Sequence, residues 1–293
     1  MVVEMKVTFL GTGTSTGIPL IGCRCATCQS NDPKDKRLRT SVWLETPSLS
    51  VIIDAGIDFR QQALIHKITN VDAVLYTHHH VDHIFGLDEL RPINFIQNKT
   101  INIFGTILTL EHLRRIYPYV FDGQNYPSDI PKIKYYTFED RPFQLGNLTV
   151  IPIPVYHGEL LIHGFRIGNF AYLTDLNQIP SESYPLLERL EVLVLDALRD
   201  RPHPTHFTLE QALNEARKIG AGKTFLVHMS HELSHLQMLE RLPAEIQPAF
   251  DGLQLELSVG DILNRTYNSA LTADFISIFY SKNSRSPILM ESI

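Results

Sequence analysis

The chain is poor in cysteine, has no long apolar run and carries no excess of positive charge. Three cysteines in 293 residues are too few for a disulfide framework. No stretch approaches the roughly 18 apolar residues that a membrane span needs. The formal net charge is -6, and Lys and Arg form no cluster, so a face that binds a nucleic-acid duplex is not expected. These absences favour a soluble globular protein with no membrane segment.

The N-terminal residues lead directly into an apolar stretch that ends at Phe9-Leu10-Gly11. A secretory signal would have a charged region before its apolar run and a small-residue cleavage site after it. Neither feature is found in this stretch. We therefore expect a cytoplasmic location.

Short β-branched segments alternate with helical patterns along the whole chain. Strands are predicted over residues 6–10, 41–45, 50–54, 73–77, 147–155, 171–174, 192–196 and 224–228. Helices are predicted over residues 57–67, 106–117 and 209–219. No internal repeat or flexible linker divides the chain. The pattern predicts one layered α/β domain over residues 1–260, followed by a C-terminal tail of unknown role over residues 261–293.

Polar side chains that can bind metal stand where six of the predicted strands end. They are Asp54, the cluster that starts at His78, His157, Asp175, Asp196 and His228. Loops at the carboxyl edge of strands are where α/β proteins usually carry their chemistry. If the strands share an edge, these side chains converge there.

The strongest motif has the form H-x-H-x-D-H, made by His78, His80, Asp82 and His83. On an extended segment His78 and His80 point to the same side, so both imidazoles can reach one ion. A tightening turn then brings Asp82 and His83 to a second ion. An incidental histidine tract or a solvated loop would have no reason to include the spaced aspartate. The motif predicts a dinuclear metal site.

Two ions need more donors than one loop holds. His157 follows a strand, Asp175 supplies a carboxylate that can bridge both ions, and His228 supplies a last imidazole. Each is ordinary by itself, because a single strand-end His or Asp is more often structural than a ligand. It is their joint occurrence in this order along the chain that supports a metal site.

This ordered set, preceded by Ile53-Asp54-Ala55-Gly56, resembles the metallo-β-lactamase superfamily over residues 5–257. The resemblance implies an αββα four-layer sandwich with two divalent ions at one edge, in which Asp54 steadies the histidine loop. A His/Asp set accepts Zn or Mn, and also Fe. By position, the implied ligands are His78, His80 and His157 for the first ion, Asp82, His83 and His228 for the second, and Asp175 as the bridge.

Two N-terminal segments narrow the resemblance. The runs FLGTGTSTGIP at residues 9–19 and GCRCATC at residues 22–28 look like the start of the phosphodiesterase branch. That branch includes the cyclic phosphodiesterase of phosphonate degradation and, more distantly, tRNase Z. The glycines of the first run do not have the spacing of a dinucleotide-binding loop.

Cys23, Cys25 and Cys28 provide three thiolates, one fewer than a closed tetrahedral zinc site has. His231 is the natural fourth donor, and the resemblance implies a structural zinc held by these four residues. Three reduced, buried thiols are the alternative. We expect a zinc site to fasten the loop of residues 11–39 to the sandwich.

A third motif, His206-Phe207-Thr208, stands before a predicted helix, because Thr208 and Gln211 form a capping box. The start of this helix suits an anionic group. The resemblance to tRNase Z and its relatives implies that His206 contacts the phosphoryl oxygens or the leaving group. His203 is the competing candidate, and a loop histidine without a role is the alternative.

Together these features predict a metal-dependent hydrolase. They favour a phosphodiesterase that acts on small phosphodiesters, including cyclic ones. A hydroxide held between two ions would attack, with Asp82 accepting a proton and His206 stabilising the phosphoryl charge. A tRNase Z-like endonuclease and a thioester or lactone hydrolase are the alternatives. The expected partner is a small phosphodiester substrate, not a membrane or a nucleic acid, and the sequence is compatible with a homodimer.

Overall fold

Two seven-stranded sheets carry the predicted strands. The computed structural model describes residues 2–124 and 126–260. In spatial order, the first sheet contains β14 (Gln254–Gly260), β1 (Val2–Gly11), β2 (Ser41–Thr46), β3 (Leu49–Ile53), β4 (Ala73–Leu75), β5 (Ile101–Gly105) and β6 (Ile133–Thr137). The second contains β13 (Ile246–Pro248), β12 (Lys223–Val227), β11 (Val192–Asp196), β10 (Phe170–Leu173), β9 (Leu160–Ile167), β8 (Leu148–His157) and β7 (Phe143–Leu145).

The direction of the strands brings several carboxyl ends to the same place. Strands β3 to β6 are parallel to one another, and so are β10 to β13. Strand β9 is antiparallel to both β8 and β10, so β8 runs in the direction of β10. The ends of β3 and β4 therefore lie at one edge of the first sheet, and those of β8, β10, β11 and β12 at one edge of the second.

Helices cover the outer face of each sheet. The α-helices of the described residues are α1 (Ala26–Gln29), α2 (Phe59–His66), α3 (Val81–Ile84), α4 (Leu90–Gln97), α5 (Ile107–Ile116), α6 (Pro118–Phe121), α7 (Leu209–Ile219) and α8 (His235–Arg241). Apolar residues of α2, α4 and α5 pack into the core outside the first sheet. Those of α7 and α8 pack into the core outside the second sheet.

Three apolar cores separate the four layers. In β3, Val51 and Ile53 face the core between the sheets, and Ile52 faces the outer core. In β11, Val194 faces the central core and Leu193 the outer one. Side chains alternate across a strand, so strands buried on both faces are continuous apolar runs. The predicted αββα sandwich is confirmed.

All eight predicted strands are confirmed, and α7 begins and ends where the sequence predicts. The sequence patterns miss β5, β9 and all four edge strands: β6, β7, β13 and β14. An edge strand pairs on one side only, so its existence depends on its neighbour more than on its own apolar pattern. The predicted tail of residues 261–293 lies outside the described residues. Within the described part of the chain, no helix has the length and apolar character to cross a bilayer.

Candidate metal centre

Polar residues from the strand ends of both sheets meet at one edge of the sandwich. Asp54 directly follows β3, His157 ends β8, and Asp175 comes two residues after β10. Asp196 ends β11, and His228 directly follows β12. None of these five side chains exposes more than 8% of its surface. The expected convergence of strand ends occurs, but it joins two sheets rather than one.

Three of these residues have left-handed backbone conformations. The φ angles are 64° at Asp54, 58° at Asp175 and 56° at His228. Such conformations cost a non-glycine residue about 1–3 kcal/mol and persist where the surroundings impose them, often at functional sites. Here they turn the chain sharply after a strand, which keeps the polar side chain at the sheet edge.

The histidine loop changes from extended to helical at the predicted point. His80 has an extended conformation and is the N-cap of α3. Among the groups whose donor atoms lie within 4.8 Å of one another, two contain residues of this loop: His78, His80 and Asp175 form one, and Asp82, His83, Asp175 and His228 form the other. Asp175 belongs to both groups, as expected of a bridging carboxylate.

His157 is grouped differently from the prediction. Its donor atom lies within 4.8 Å of those of Asp175 and His206. The centre of its ring is 5.0 Å from that of His80 and 5.7 Å from that of His78. The three imidazoles predicted for the first ion therefore surround Asp175 without forming one tight donor group.

Asp54 fixes the histidine loop through Thr77 and His83. The N–H and the hydroxyl of Thr77 donate to its two carboxylate oxygens at 2.9 and 2.8 Å. Nδ1 of His83 lies 2.8 Å from Oδ2 of Asp54. Nδ1 of His78 lies 2.9 Å from the Thr77 hydroxyl oxygen. These contacts make Nδ1 the donor in both rings and leave Nε2 as the atom available to a metal.

We expect Asp54→Asn to weaken metal binding at the centre by about 10- to 100-fold. The amide keeps the shape of the side chain and tolerates its left-handed backbone, but it offers His83 a donor where Nδ1 needs an acceptor. Competition with a chromophoric chelator measures the affinity. Asp72→Asn is the matched control, because Asp72 also accepts two hydrogen bonds but lies at the opposite end of β4. Equal losses in both variants would contradict this role of Asp54.

The donor set fits a divalent metal. The Nε2 atoms of His78, His83 and His228 are buried without a hydrogen-bond partner. They lie 3.9, 3.3 and 3.2 Å, respectively, from the nearest carboxylate oxygen of Asp175. A buried unpaired polar group costs about 1–3 kcal/mol, and a metal bond would satisfy it. Burial lowers the pKa of His78, and lowers that of His157 to about 4. These rings are therefore neutral, which is the form that binds metal.

Asp82 and His83 are strongly coupled. Oδ2 of Asp82 lies 3.2 Å from Nε2 of His83 and 3.7 Å from Nε2 of His228. Burial by itself would raise the pKa of Asp82, but the two imidazoles outweigh burial and lower it. Burial opposes charge on His83, but the carboxylates of Asp175 and Asp82 raise its pKa well above the ordinary value. The carboxylates of Asp175 and Asp82 thus favour positive charge at this place, and a bound metal ion would supply it.

Asp196, to which the sequence assigned no specific role, lies between two imidazoles. Its Oδ2 is 3.4 Å from Nδ1 of His206, and its Oδ1 is 3.5 Å from Nδ1 of His228. Burial disfavours a charged His206, but the Asp196 carboxylate outweighs burial and raises the pKa of His206. The available sequence signal was an aspartate at a strand end, and it did not reveal the two partners.

His206 lies among the metal-binding donors, whereas His203 belongs to none of the donor groups. The ring centre of His206 is 4.8 Å from that of His228, in a stacked arrangement. The ring centre of His203 lies 4.9 Å from that of His206, and its Nδ1 lies 3.2 Å from the hydroxyl of Thr205. This arrangement places His206, rather than His203, beside the candidate metal ligands.

The predicted capping box of α7 is confirmed, with consequences for anion binding. The N–H of Gln211 donates to the Thr208 hydroxyl, and the N–H of Thr208 donates to the Gln211 side chain. The N–H of Leu209 donates to the carbonyl of Arg199. These amides already have partners, so they are not available for an anion at the helix start.

The three cysteines and His231 form a separate donor group within 4.8 Å. Nδ1 of His231 lies 3.3 Å from the sulfur of Cys23 and 3.3 Å from that of Cys25. Backbone N–H groups donate to Cys25 and Cys28 sulfurs. The N–H of Cys28, together with His231, lowers the pKa of Cys25 to about 6, whereas burial raises that of Cys28 to about 11.

Comparison with known proteins agrees with this geometry. The family model of the β-lactamase superfamily domain matches residues 50–229. A crystal structure of a diphosphatase of the PhnP family is 41% identical, covers 88% of this chain and 99% of that chain, and superposes with a TM-score of 0.83.

Two curated relatives are longer than this chain. An octanoyltransferase of Porphyromonas gingivalis (strain ATCC BAA-308 / W83) is 41% identical over 254 residues, or 85% of this chain and 51% of that protein. A ribonuclease Z of Methanopyrus kandleri is 26% identical over 186 residues, or 62% of this chain and 54% of that protein. The chain thus spans about half the length of these two relatives. The family match and the shared fold show that the chain belongs to the β-lactamase superfamily and has the metallo-β-lactamase fold.

Proposed function

We propose that the chain is a phosphodiesterase that acts on small, including cyclic, phosphodiesters with two divalent metal ions. The observation that carries this proposal is the Asp196–His206 pair, which stands beside two donor groups that share Asp175. A cationic imidazole at this place suits a phosphoryl group, which remains anionic throughout its reaction. The 41% identity to a PhnP-family diphosphatase over 99% of that chain's length supports the same substrate chemistry.

We assign the donors to two metal sites. The proposed ligands are His78, His80 and His157 for one ion, Asp82, His83 and His228 for the other, and Asp175 for both. His157 shares a donor group with Asp175 but not with His78 or His80. When bound, the two ions would supply Lewis-acid charge and lower the pKa of the attacking water. Zn and Mn are the expected metals, and Fe also suits such donors.

The remaining chemistry belongs to side chains of the chain itself. Asp82 is ionised, because its pKa is lowered by the neighbouring imidazoles, and we assign it the acceptance of the water proton. Asp196 orients His206 and favours its protonated form. His206 then donates a hydrogen bond to the phosphoryl oxygens, or a proton to the leaving oxygen.

We also propose that Cys23, Cys25, Cys28 and His231 hold a structural zinc. Three thiolates and one imidazole are a common tetrahedral set for zinc. The cysteines are free of disulfides, and a lowered pKa of Cys25 favours the thiolate that a metal requires.

Two relatives suggest other activities. Ribonuclease Z relatives raise the alternative of an RNA-processing enzyme, but the residues from 84 to 156 contain seven acidic and seven basic side chains, and phosphate contacts with RNA demand an excess of positive charge. The octanoyltransferase is named for an acyl transfer, but this chain covers only 51% of that protein. A thioester hydrolase is the corresponding alternative for this chain.

A substrate panel tests the proposal. We expect kcat/KM for cyclic or linear small phosphodiesters to exceed that for an octanoyl thioester, a lactone and a precursor tRNA by at least about 100-fold. Metal analysis of the same preparation should give two ions besides the thiolate-bound zinc, and removal of metal by a chelator should abolish hydrolysis. Preference for a carboxylic ester or for RNA would overturn the proposal while leaving the fold intact.

A further inference from the structure

The two donor clusters are joined by residues 228–232, here called the bridging segment. It begins with His228, whose imidazole belongs to the proposed active centre. Three residues later, Nδ1 of His231 lies 3.3 Å from the sulfurs of Cys23 and Cys25. The segment is part of neither a helix nor a strand. Its conformation is therefore fixed by contacts with other loops rather than by regular hydrogen bonding.

The first of these contacts fix the middle of the bridging segment. Met229 donates its N–H to the carbonyl of Thr12 at 3.1 Å and accepts from the N–H of Thr14 at 3.1 Å. Ser230 donates its N–H to the carbonyl of Leu198 at 2.9 Å. The bridging segment is thus held between the loop that follows β1, which contains Thr12 and Thr14, and the loop that follows β11, which contains Leu198.

Arg37 connects the bridging segment to the loop of residues 11–39, which carries the three cysteines and is here called the cysteine loop. It is the largest fully buried side chain among the described residues, and it donates from Nη1 to the carbonyl of Ser230 at 3.3 Å. Its Nη2 lies 3.5 Å from Asp35, which also accepts from the N–H of His235 at 2.8 Å. The cysteine loop therefore contacts both the middle of the bridging segment and the start of α8.

Glu232, at the end of the bridging segment, binds the loop that leads to His206. Its carboxylate accepts from Nε and Nη2 of Arg201 at 3.1 and 2.6 Å. It also lies 3.9 Å from Nη1 of Arg199. A shift of the bridging segment would therefore change the position of the loop that carries His206 as well as that of His228.

His228 depends on this support. Its φ of 56° is a conformation that a histidine adopts rarely without external constraint. On its C-terminal side, the chain is anchored by Ser230, His231 and Glu232 through the contacts above. Metal bound by the three cysteines would immobilise His231 and with it the geometry of His228.

We propose that the thiolate site is a positioning site for the active centre, in which metal held by Cys23, Cys25, Cys28 and His231 fixes the bridging segment and so presents His228. His231 is then a positioning residue that acts through His228. The proposal rests on metal binding at both clusters, as proposed above, but not on the substrate class. Loss of the thiolate metal should lower the affinity of the active centre for its own metal, although all seven of its donors remain.

Cobalt titration of the whole chain tests this coupling. Co²⁺ bound to thiolates gives intense charge-transfer absorption, whereas Co²⁺ bound to imidazole and carboxylate gives only weak d–d bands, so the two clusters can be followed separately and without substrate. We expect His231→Ala to lose the thiolate absorption and to weaken Co²⁺ binding at the active centre by about tenfold or more. His231→Cys is the matched variant, because four cysteines also form a closed metal site. It should retain both signals at wild-type affinity.

The readout separates positioning from general destabilisation. A lower Tm in His231→Ala with unchanged affinity of the active centre would overturn the proposal, and so would any substitution of Cys23, Cys25 or Cys28 that removes the thiolate metal but leaves that affinity unchanged. If His231→Ala does not fold, a mercurial reagent can displace the thiolate metal from the wild-type chain, and excess thiol with fresh metal can reverse the change. The affinity of the active centre must then fall and recover; a constant affinity would overturn the proposal. Failure of the phosphodiesterase assignment leaves these measurements unaffected.

Discussion

Asp175→Ala should remove metal and turnover together. Asp175 is shared by three donor groups, and its oxygens lie 3.2 Å from Nε2 of His228 and 3.3 Å from Nε2 of His83. Without this carboxylate, Nε2 of His83 and of His228 has one carboxylate neighbour, Asp82, instead of two, and the two proposed ions have no shared ligand. Metal catalysis supplies several kcal/mol of transition-state stabilisation, and each 1.36 kcal/mol is tenfold in rate. We therefore expect kcat/KM to fall by about 10³-fold or more.

Metal analysis and steady-state kinetics on the same preparation measure the two losses. Asp72→Asn again serves as the control for an aspartate of the scaffold, and circular dichroism of the metal-free chains compares their folding. Full metal content in a folded Asp175→Ala chain would contradict the shared-ligand role. Normal turnover with reduced metal would show that one ion is sufficient.

His206→Ala should separate turnover from metal binding. His206 contacts Asp196, stacks on His228 with ring centres 4.8 Å apart and exposes 8% of its surface. The proposed metal ligands remain intact in this variant. A positioned acid or hydrogen-bond donor typically contributes about 10² to 10⁴ in rate. We expect kcat to fall within that range while metal content stays at the wild-type value.

His203→Ala is the matched control, because His203 is the neighbouring imidazole outside the donor groups. Its kcat should stay near that of the wild type. A large loss in His203→Ala with none in His206→Ala would reverse the roles of the two histidines. Equal metal loss in His206→Ala and Asp175→Ala would refute the division between a phosphate-contacting residue and a ligand.

Several features of this centre could be predicted because they are local. The H-x-H-x-D-H motif contains both its extended and its helical part, so the change of direction at His80 follows from residues close in sequence. The capping box joins Thr208 and Gln211, three positions apart, and it defines the start of α7. Strands with both faces buried, such as β11, are recognisable as apolar runs without any knowledge of their neighbours.

Other features were hidden because they join distant parts of the chain. Asp196 meets His206 and His228 only because β11 and β12 are parallel neighbours and the loop after β11 folds back over their ends. The occupied amides at the start of α7 depend in part on the carbonyl of Arg199, which no capping pattern reveals. Sequence spacing identifies candidate donors, but it does not give the distances between them.

The sequence by itself determined the superfamily resemblance, the four-layer class and the order of the candidate donors, because these reside in short motifs and in apolar periodicity. Only the tertiary structure decided how strand ends from two sheets face each other, which imidazole stands beside Asp196, and how the bridging segment ties the cysteines to His228. The physical reason is that burial and electrostatic coupling depend on distances across the sandwich. Those distances follow from sheet order and loop packing, which bring together residues two hundred or more positions apart, as in the contact of Asp35 with His235.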